Sequence, residues 1–292
     1  MEWCRDRLVE MAAIVLAAAV LTACGGCSWW RGAAPGGDSG GSGPPPEKRG
    51  ATAFVADEGS SFPPGPGAQG QPGDIILQNS RVRFVVAGQD HGCGPTITGG
   101  HLLDAVPRGG ADQMRLLLAR IGPPGKGGAC YDTVEITSTI RDSAAVVEAT
   151  GHPAGRAALR LRTRYRLEPG AQRLEITTRV TNRGERCLRH LPVADILFPG
   201  RAVRFAEGVG LFPAGQSGDS DWISFFAGEQ AWGVFRPHAR PMRTFSEVGV
   251  SRLIYREVSL APGESVSFSR CLMAVRRSET STATGTRRSS SR

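Results

Sequence analysis

The stretch ALRLRTRYRLEPGAQRLEITTRVTNRG, residues 158–184, decides the fold class. Leu159, Leu161, Thr163, Tyr165 and Leu167 alternate with Arg160, Arg162, Arg164 and Arg166. A period of two sends successive side chains to opposite faces of a strand, so one face is largely apolar and the other carries four guanidinium groups. Glu168-Pro169-Gly170 then reverses the chain, because Pro presets φ at the first turn position and Gly accepts positive φ at the next. Leu174, Ile176, Thr178 and Val180 alternate with Glu175, Thr177, Arg179 and Thr181, and Asn182-Arg183-Gly184 turns the chain again. Two amphipathic strands joined by a tight turn predict antiparallel sheet with one dry and one wet face.

The same grammar extends in both directions. Asp74–Gln78 and Arg81–Val86 flank the hairpin signal Asn79-Ser80, and Tyr131–Ile140 and Ala145–Thr150 flank Arg141-Asp142. Further strands are expected at Trp222–Phe226, Ala231–Phe235, Leu253–Leu260 and Ser265–Ala274, with Ala261-Pro262-Gly263 joining the last two. Only Asp112–Ile121 reads as a helix. So many strands at this spacing predict an all-β fold, a large antiparallel β-sandwich over residues 51–275. Composition agrees: 39 Gly and 20 Pro exclude a mainly helical chain, and 40% hydrophobic residues exclude full disorder.

The net charge of +8 is not read as a nucleic-acid signal. Lysine occurs only at Lys48 and Lys126, a skew that points to coding bias. The tail 276–292 carries five arginines against Glu279, a net of +4, and is Ser/Thr/Arg-rich without apolar period, so it is expected to be disordered. The 51–275 body also carries +4. The stripe Arg160, Arg162, Arg164 and Arg166 reads either as a binding face for an anionic polymer or as the solvated face of a strand.

The N-terminus carries an address. Met11–Val20 (MAAIVLAAAV) is an apolar run of signal-peptide length, too short to span a bilayer, and Leu21-Thr22-Ala23-Cys24 follows it. This tetrapeptide resembles the lipobox of bacterial lipoproteins. Glu2, Asp6 and Glu10 depart from the usual basic n-region. The resemblance implies a signal peptide over 1–23, lipidation (palmitate among the acyl chains) at Cys24, and a lipid-anchored protein of the cell envelope. Several acyl chains give a stable anchor, at about 0.8 kcal/mol per buried CH₂. Residues 24–50 are rich in Gly and Pro and read as a flexible tether. Trp29 and Trp30 either sit at the headgroup level or are exposed in the linker.

Five further cysteines belong to an exported chain, where disulfides are permitted. Cys93 and Cys130, both in Gly-rich loops, are the expected pair. Cys187 and Cys271 either pair or are buried thiols, which leaves Cys27 over.

Several segments resemble known modules. Gly73–Val86 (GDIILQNSRVRFVV) is similar to the opening hairpin of the β-supersandwich modules of large bacterial surface lipoproteins, and Gly99–Asp104 (GGHLLD) to the step after it. Tyr165–Gly170, Val180–Gly184 and Leu260–Glu264 are similar to the "Y-x-L-x-P-G", "V-x-N-x-G" and "L-x-P-G-E" elements of galactose-mutarotase-like sandwiches. The resemblance covers roughly residues 70–275 and implies a supersandwich-like fold. The PHP-type phosphoesterase activity that often accompanies such modules is not implied, since no His-x-His cluster is present.

Candidate chemistry is sparse. His91, His101, His152, His190 and His238 are solitary, and none stands in the epimerase motifs. Asp90-His91-Gly92-Cys93 and Asp219-Ser220-Asp221 each lack the ligand number a metal needs, so no metal and no cofactor is expected. Gly122–Gly128 lacks the ending of a phosphate loop and reads as a turn. The leading expectation is a non-catalytic surface module binding a glycan or an envelope partner. Trp222, Trp232 and Tyr255 are its candidate aromatic platforms, and Arg236 and Asp195 its polar anchors. A mutarotase-like carbohydrate-active enzyme and a structural scaffold lipoprotein are the alternatives. The expected partners are the membrane, through the lipid, and a glycan or envelope protein, with no nucleic acid.

Overall fold

The computed structural model describes residues 50–92, 98–123, 127–138, 143–207, 210–237 and 241–276. The expected signal peptide, Cys24, the tether as far as residue 49, Cys93 and the tail from residue 277 lie outside the described residues. Eighteen strands are described. They are β1 (Thr52–Val55), β2 (Ile75–Gln78), β3 (Val82–Val86), β4 (Leu102–Pro107), β5 (Leu116–Ile121) and β6 (Ala129–Ser138). Then follow β7 (Ala145–Pro153), β8 (Leu159–Leu167), β9 (Arg173–Asn182), β10 (Leu188–Phe198), β11 (Val203–Ala206) and β12 (Gly210–Leu211). The chain ends with β13 (Ser217–Ser220), β14 (Trp222–Ala227), β15 (Gln230–Phe235), β16 (Met242–Glu247), β17 (Val250–Leu260) and β18 (Ser265–Arg276).

Two nine-stranded antiparallel sheets result. Sheet A runs β1-β2-β3-β4-β5-β10-β17-β16-β13, and sheet B runs β12-β11-β14-β15-β18-β9-β8-β7-β6. The fold is therefore the all-β sandwich expected from the alternation. The β8 and β9 strands pair in register from Leu159↔Asn182 to Leu167↔Leu174, so their apolar sets fall on one face. The two Pro-Gly turns behave as their chemistry requires: Gly170 has φ 67° and Gly263 φ 78°. Their hairpins close with Ala171 N to Glu168 O at 3.2 Å and Glu264 N to Ala261 O at 3.1 Å.

The helix expected over Asp112–Ile121 is a correction: Leu116–Ile121 is strand β5. Its run is apolar on both faces because Leu117, Ala119 and Ile121 pack in the core between the sheets while Leu116 and Leu118 pack in the second core on the outer face. A short apolar run of this kind cannot be assigned by periodicity alone. The central strand β10 also escaped the alternation, broken by Pro192 and Asp195 and by a shift of register between Val193 and Ala194.

The main core lies between the sheets, from Phe84, Leu102 and Ile121 on sheet A to Val147, Ile176, Phe225 and Leu272 on sheet B. A second core lies on the outer face of sheet A. There Ile76, Val85, Leu103, Leu116 and Leu118 are packed by Ala56, Phe62 and Phe198. The chain between β1 and β2 straps this face. Ala56 N bonds to Asp74 O at 2.7 Å, Gly73 N to Ala56 O at 2.8 Å, and Asp112 N to Pro64 O at 2.6 Å. Half of the outer face of sheet A is thereby closed, and the half formed by β10, β17 and β16 is not covered by this strap.

Candidate functional site

Three groups of polar side chains concentrate the chemistry of the sandwich. The first lies between the sheets. Asp195 points inward from β10 and accepts from Arg270 of β18 through Nε at 2.7 Å and Nη2 at 3.0 Å, a bidentate pair. The Tyr255 hydroxyl donates to the same carboxylate at 2.6 Å. Arg270 Nη1 donates to Thr178 Oγ1 at 2.7 Å; Thr178 meets Thr163 at 3.0 Å, and Thr163 meets the Tyr131 hydroxyl at 2.7 Å. All six residues are buried. Burial opposes the charge on Arg270, but Asp195 and the tyrosines hold its pKa above the ordinary value. Burial pushes Tyr131 up to about 12 and Tyr255 well above its usual range. This network bonds sheet A to sheet B.

The second group lies under the strap. The buried Asp104 accepts from Gln69 N at 3.0 Å and Gly70 N at 3.1 Å, and Asp112 accepts from Ala105 N at 3.0 Å. Burial raises Asp104 to about 6; burial and the neighbouring Asp104 raise Asp112 to about 9. His91 Nδ1 lies 2.8 Å from Asp74 Oδ1, and Asp74 also accepts from Gly88 N at 2.8 Å. These carboxylates hold loop backbone in place, and among the described residues no group of three or more His, Cys, Asp and Glu is placed to hold a metal.

The third group runs from β5, at the edge of the second core, onto the uncovered half of the outer face of sheet A. Register places Leu118, Ile196, Arg252 and Phe245 side by side across β5, β10, β17 and β16. The next rung holds Arg120, Ala194, Ile254 and Arg243. Arg120 is only 5% exposed, yet its Nε has no hydrogen-bond partner among the described residues. Burial lowers its pKa, with a further push from Arg252 and a counter-pull from Glu247. Glu247 is already committed to Arg252 at 2.7 Å. The face ends in a cavity of about 460 Å³ lined by Pro66, Gln113, Arg115, Phe198, Gly200, Arg201 and Gly249. Phe198 lies four steps of extended strand along from Ala194, the neighbour of Arg120, so the face is about 13 Å long.

The residues singled out in the sequence fare differently. Asp195, Tyr255 and Arg236 do come together, with Arg236 stacked over the Tyr255 ring at 5.0 Å. They come together around the interior network, and the expected surface platform is corrected on that point. Tyr255 is 4% and Asp195 0% exposed, because both occupy inward phases of their strands. Trp232 is likewise buried, stacked on Phe225 with centroids 5.9 Å apart. Trp222 is half-buried at the start of β14. Cys187 and Cys271 are both free thiols, so the pairing alternative is corrected; Cys187 is exposed and Cys271 buried. Cys130 is half-buried, and its expected partner Cys93 lies outside the described residues. Arg270 and Arg120 were missed. The signal for Arg270 was present, since it falls in phase with Val266, Phe268, Leu272 and Ala274. Arg120 was hidden by the helical reading of its segment.

The fold and these faces define a two-sheet antiparallel sandwich that carries a polar core network and an open cationic face. No family model and no curated protein matches the chain. Among solved structures, it is similar to a TPR-domain containing protein from Parabacteroides distasonis ATCC 8503, with TM-score 0.50 and 9% identity over 71% of this chain and 48% of that one. The chain thus spans about half the length of that protein. A galactose mutarotase-like protein from Lactobacillus casei ATCC 334 matches with TM-score 0.44 and 10% identity, over 70% of this chain and 100% of that one. A GH36 alpha-galactosidase from Geobacillus stearothermophilus matches with TM-score 0.41 and 12% identity, over 70% of this chain and 41% of that one.

Proposed function

We propose that this chain is a lipid-anchored envelope protein, held through Cys24, whose sandwich binds an acidic carbohydrate along the open outer face of sheet A. The observation that carries the binding role is Arg120. Its guanidinium is largely withdrawn from water with Nε unpaired, and a buried, incompletely paired charge is a candidate for completion by an anionic ligand. Phe245 supplies an apolar ring two rungs of polar neighbours can frame, and Arg252 with Glu247 supplies donors and acceptors for hydroxyls. A length of about 13 Å suits a short oligosaccharide better than a single sugar. Binding is favoured over catalysis because the buried carboxylates are engaged structurally: Asp195 by Arg270, Asp74 by His91, Asp104 by the strap.

The test is a glycan array comparing uronate-bearing with neutral oligosaccharides, read for the wild-type chain and for Arg120→Gln and Phe245→Ala. Selective retention of acidic glycans, weakened in both variants, is expected. Absence of any glycan binding, or binding indifferent to both changes, overturns the reading. The anchor is tested separately: Cys24→Ala is expected to leave the detergent phase, and a variant still processed and membrane-bound removes that part of the proposal.

A further inference from the structure

The outer face of sheet B carries a different feature. A shallow groove of about 480 Å³ is lined by Thr150, Arg160, Arg162, Arg179, Thr181, Arg183, Gly263 and Ser265. Its floor is two adjacent rungs of the sheet. One rung sets Thr150, Arg162, Arg179 and Ser267 side by side; the other sets Arg160, Thr181 and Ser265. Arg162 and Arg179 are therefore directly opposite on neighbouring strands, an arrangement of like charges that disfavours the sheet.

Charge along this face is compensated unevenly. Arg166 is bracketed by Glu168 and Glu175, and Arg173 by Glu175 at 3.5 Å. In the groove, Glu148 engages Arg162, with Nε at 2.6 Å. No carboxylate is among the lining residues, which bring four guanidinium groups into one place. Arg179 Nη2 donates to Ser265 Oγ at 3.2 Å, and Ser265 also meets Thr181 Oγ1 at 2.8 Å. Arginines on adjacent positions of one face stand about 7 Å apart along a strand and about 5 Å apart across strands. Guanidinium groups from positions so spaced, with hydroxyls between them, suit an anion that accepts from several directions at once.

We propose that this groove is a binding site for a phosphate group, formed by Arg160, Arg179 and Arg183 with Arg162 behind them. It is independent of the carbohydrate reading, which concerns the opposite sheet. A tetrahedral phosphate presents three or more acceptor oxygens in different directions and so takes bonds from more than one guanidinium at once, where a carboxylate presents two in one plane. The phosphate arrives either as the free ion or on a lipid headgroup, and the two sources are separable by experiment.

The full chain carrying Cys24→Ala, so that acylation does not contribute, is titrated with inorganic phosphate by calorimetry. It is also sedimented with phosphatidylcholine vesicles with and without phosphatidic acid. Both assays are repeated with Arg160→Gln/Arg179→Gln and with Arg166→Gln; all three positions are on the surface or half-buried, so the fold is retained. Saturable phosphate binding, weakened roughly tenfold or more in the double variant and kept in Arg166→Gln, is expected for a free-ion site. Capture that requires phosphatidic acid and shows the same variant pattern supports the headgroup source. Binding to neither probe overturns the site, as does binding unchanged in the double variant or equally lost in Arg166→Gln.

Discussion

Arg270 and Asp195, 75 residues apart in the chain, form a bidentate ion pair that joins the two sheets across the core. Neither charge has appreciable contact with water. Removing one partner strands the other, which costs about 3–5 kcal/mol. Asp195→Asn and Arg270→Met are each expected to lower unfolding free energy by that amount in urea titrations. Asp195→Leu/Arg270→Met, in which no buried charge is left alone, is expected to recover much of the loss. A double variant as unstable as the sum of the singles contradicts the pair's mutual dependence.

Stability is expected to fall between pH 6.5 and 9 because of Asp112. Its folded pKa is raised to about 9. Its contribution is therefore fully present below the unfolded value near 4 and is lost as pH rises through 9. Asp104 contributes with the same sign up to about 6. His101 acts in the opposite sense: burial lowers it to about 4, so its contribution is present above about 6.5 and lost as pH falls through 4. The two oppose each other on the acid side, which leaves Asp112 dominant above 6.5. One proton gives a slope of at most about 1.4 kcal/mol per pH unit. Thermal melts of Asp112→Asn are expected to lose this slope.

Asn79 joins a turn of sheet A to a turn of sheet B. Its Nδ2 donates to Glu168 O at 2.9 Å and Ala171 O at 2.8 Å, while its Oδ1 accepts from Arg81 N and Val82 N. Asn79→Ala is expected to cost about 2–4 kcal/mol, since four backbone groups lose a partner. Asn79→Asp keeps the acceptor but sets a carboxylate oxygen against the two carbonyl oxygens, and is expected to be at least as destabilising as Asn79→Ala in chemical denaturation at neutral pH.

Arg120 trades stability for function under the proposed reading. Replacing it with Met removes a poorly paired buried cation, so the ligand-free protein is expected to gain about 1–2 kcal/mol while glycan binding is lost. A melting temperature that falls instead shows that the guanidinium is satisfied within the fold.

The free thiols differ in access. Cys271 is buried and raised to about 11, whereas Cys187 is exposed. Maleimide labelling of the native protein, mapped by mass spectrometry, is expected to mark Cys187 and to reach Cys271 only after denaturation.

By itself the sequence determined what depends on near neighbours. Alternation of apolar and polar residues specified β8 and β9 and the faces they present, and Pro-Gly pairs specified their turns, because both are set within a few residues. The inward phase even placed Thr163 and Thr178 on the buried side. Tertiary structure decided what depends on partners far along the chain. Leu116–Ile121 became a strand because β10 arrived beside it. Asp195 and Tyr255 became core because Arg270 met them from the other sheet. Arg120 and Arg162 both stand on outer faces of their sheets, yet one is buried and the other exposed. That difference is one of desolvation and of the charges standing nearby, which only the assembled sheets supply.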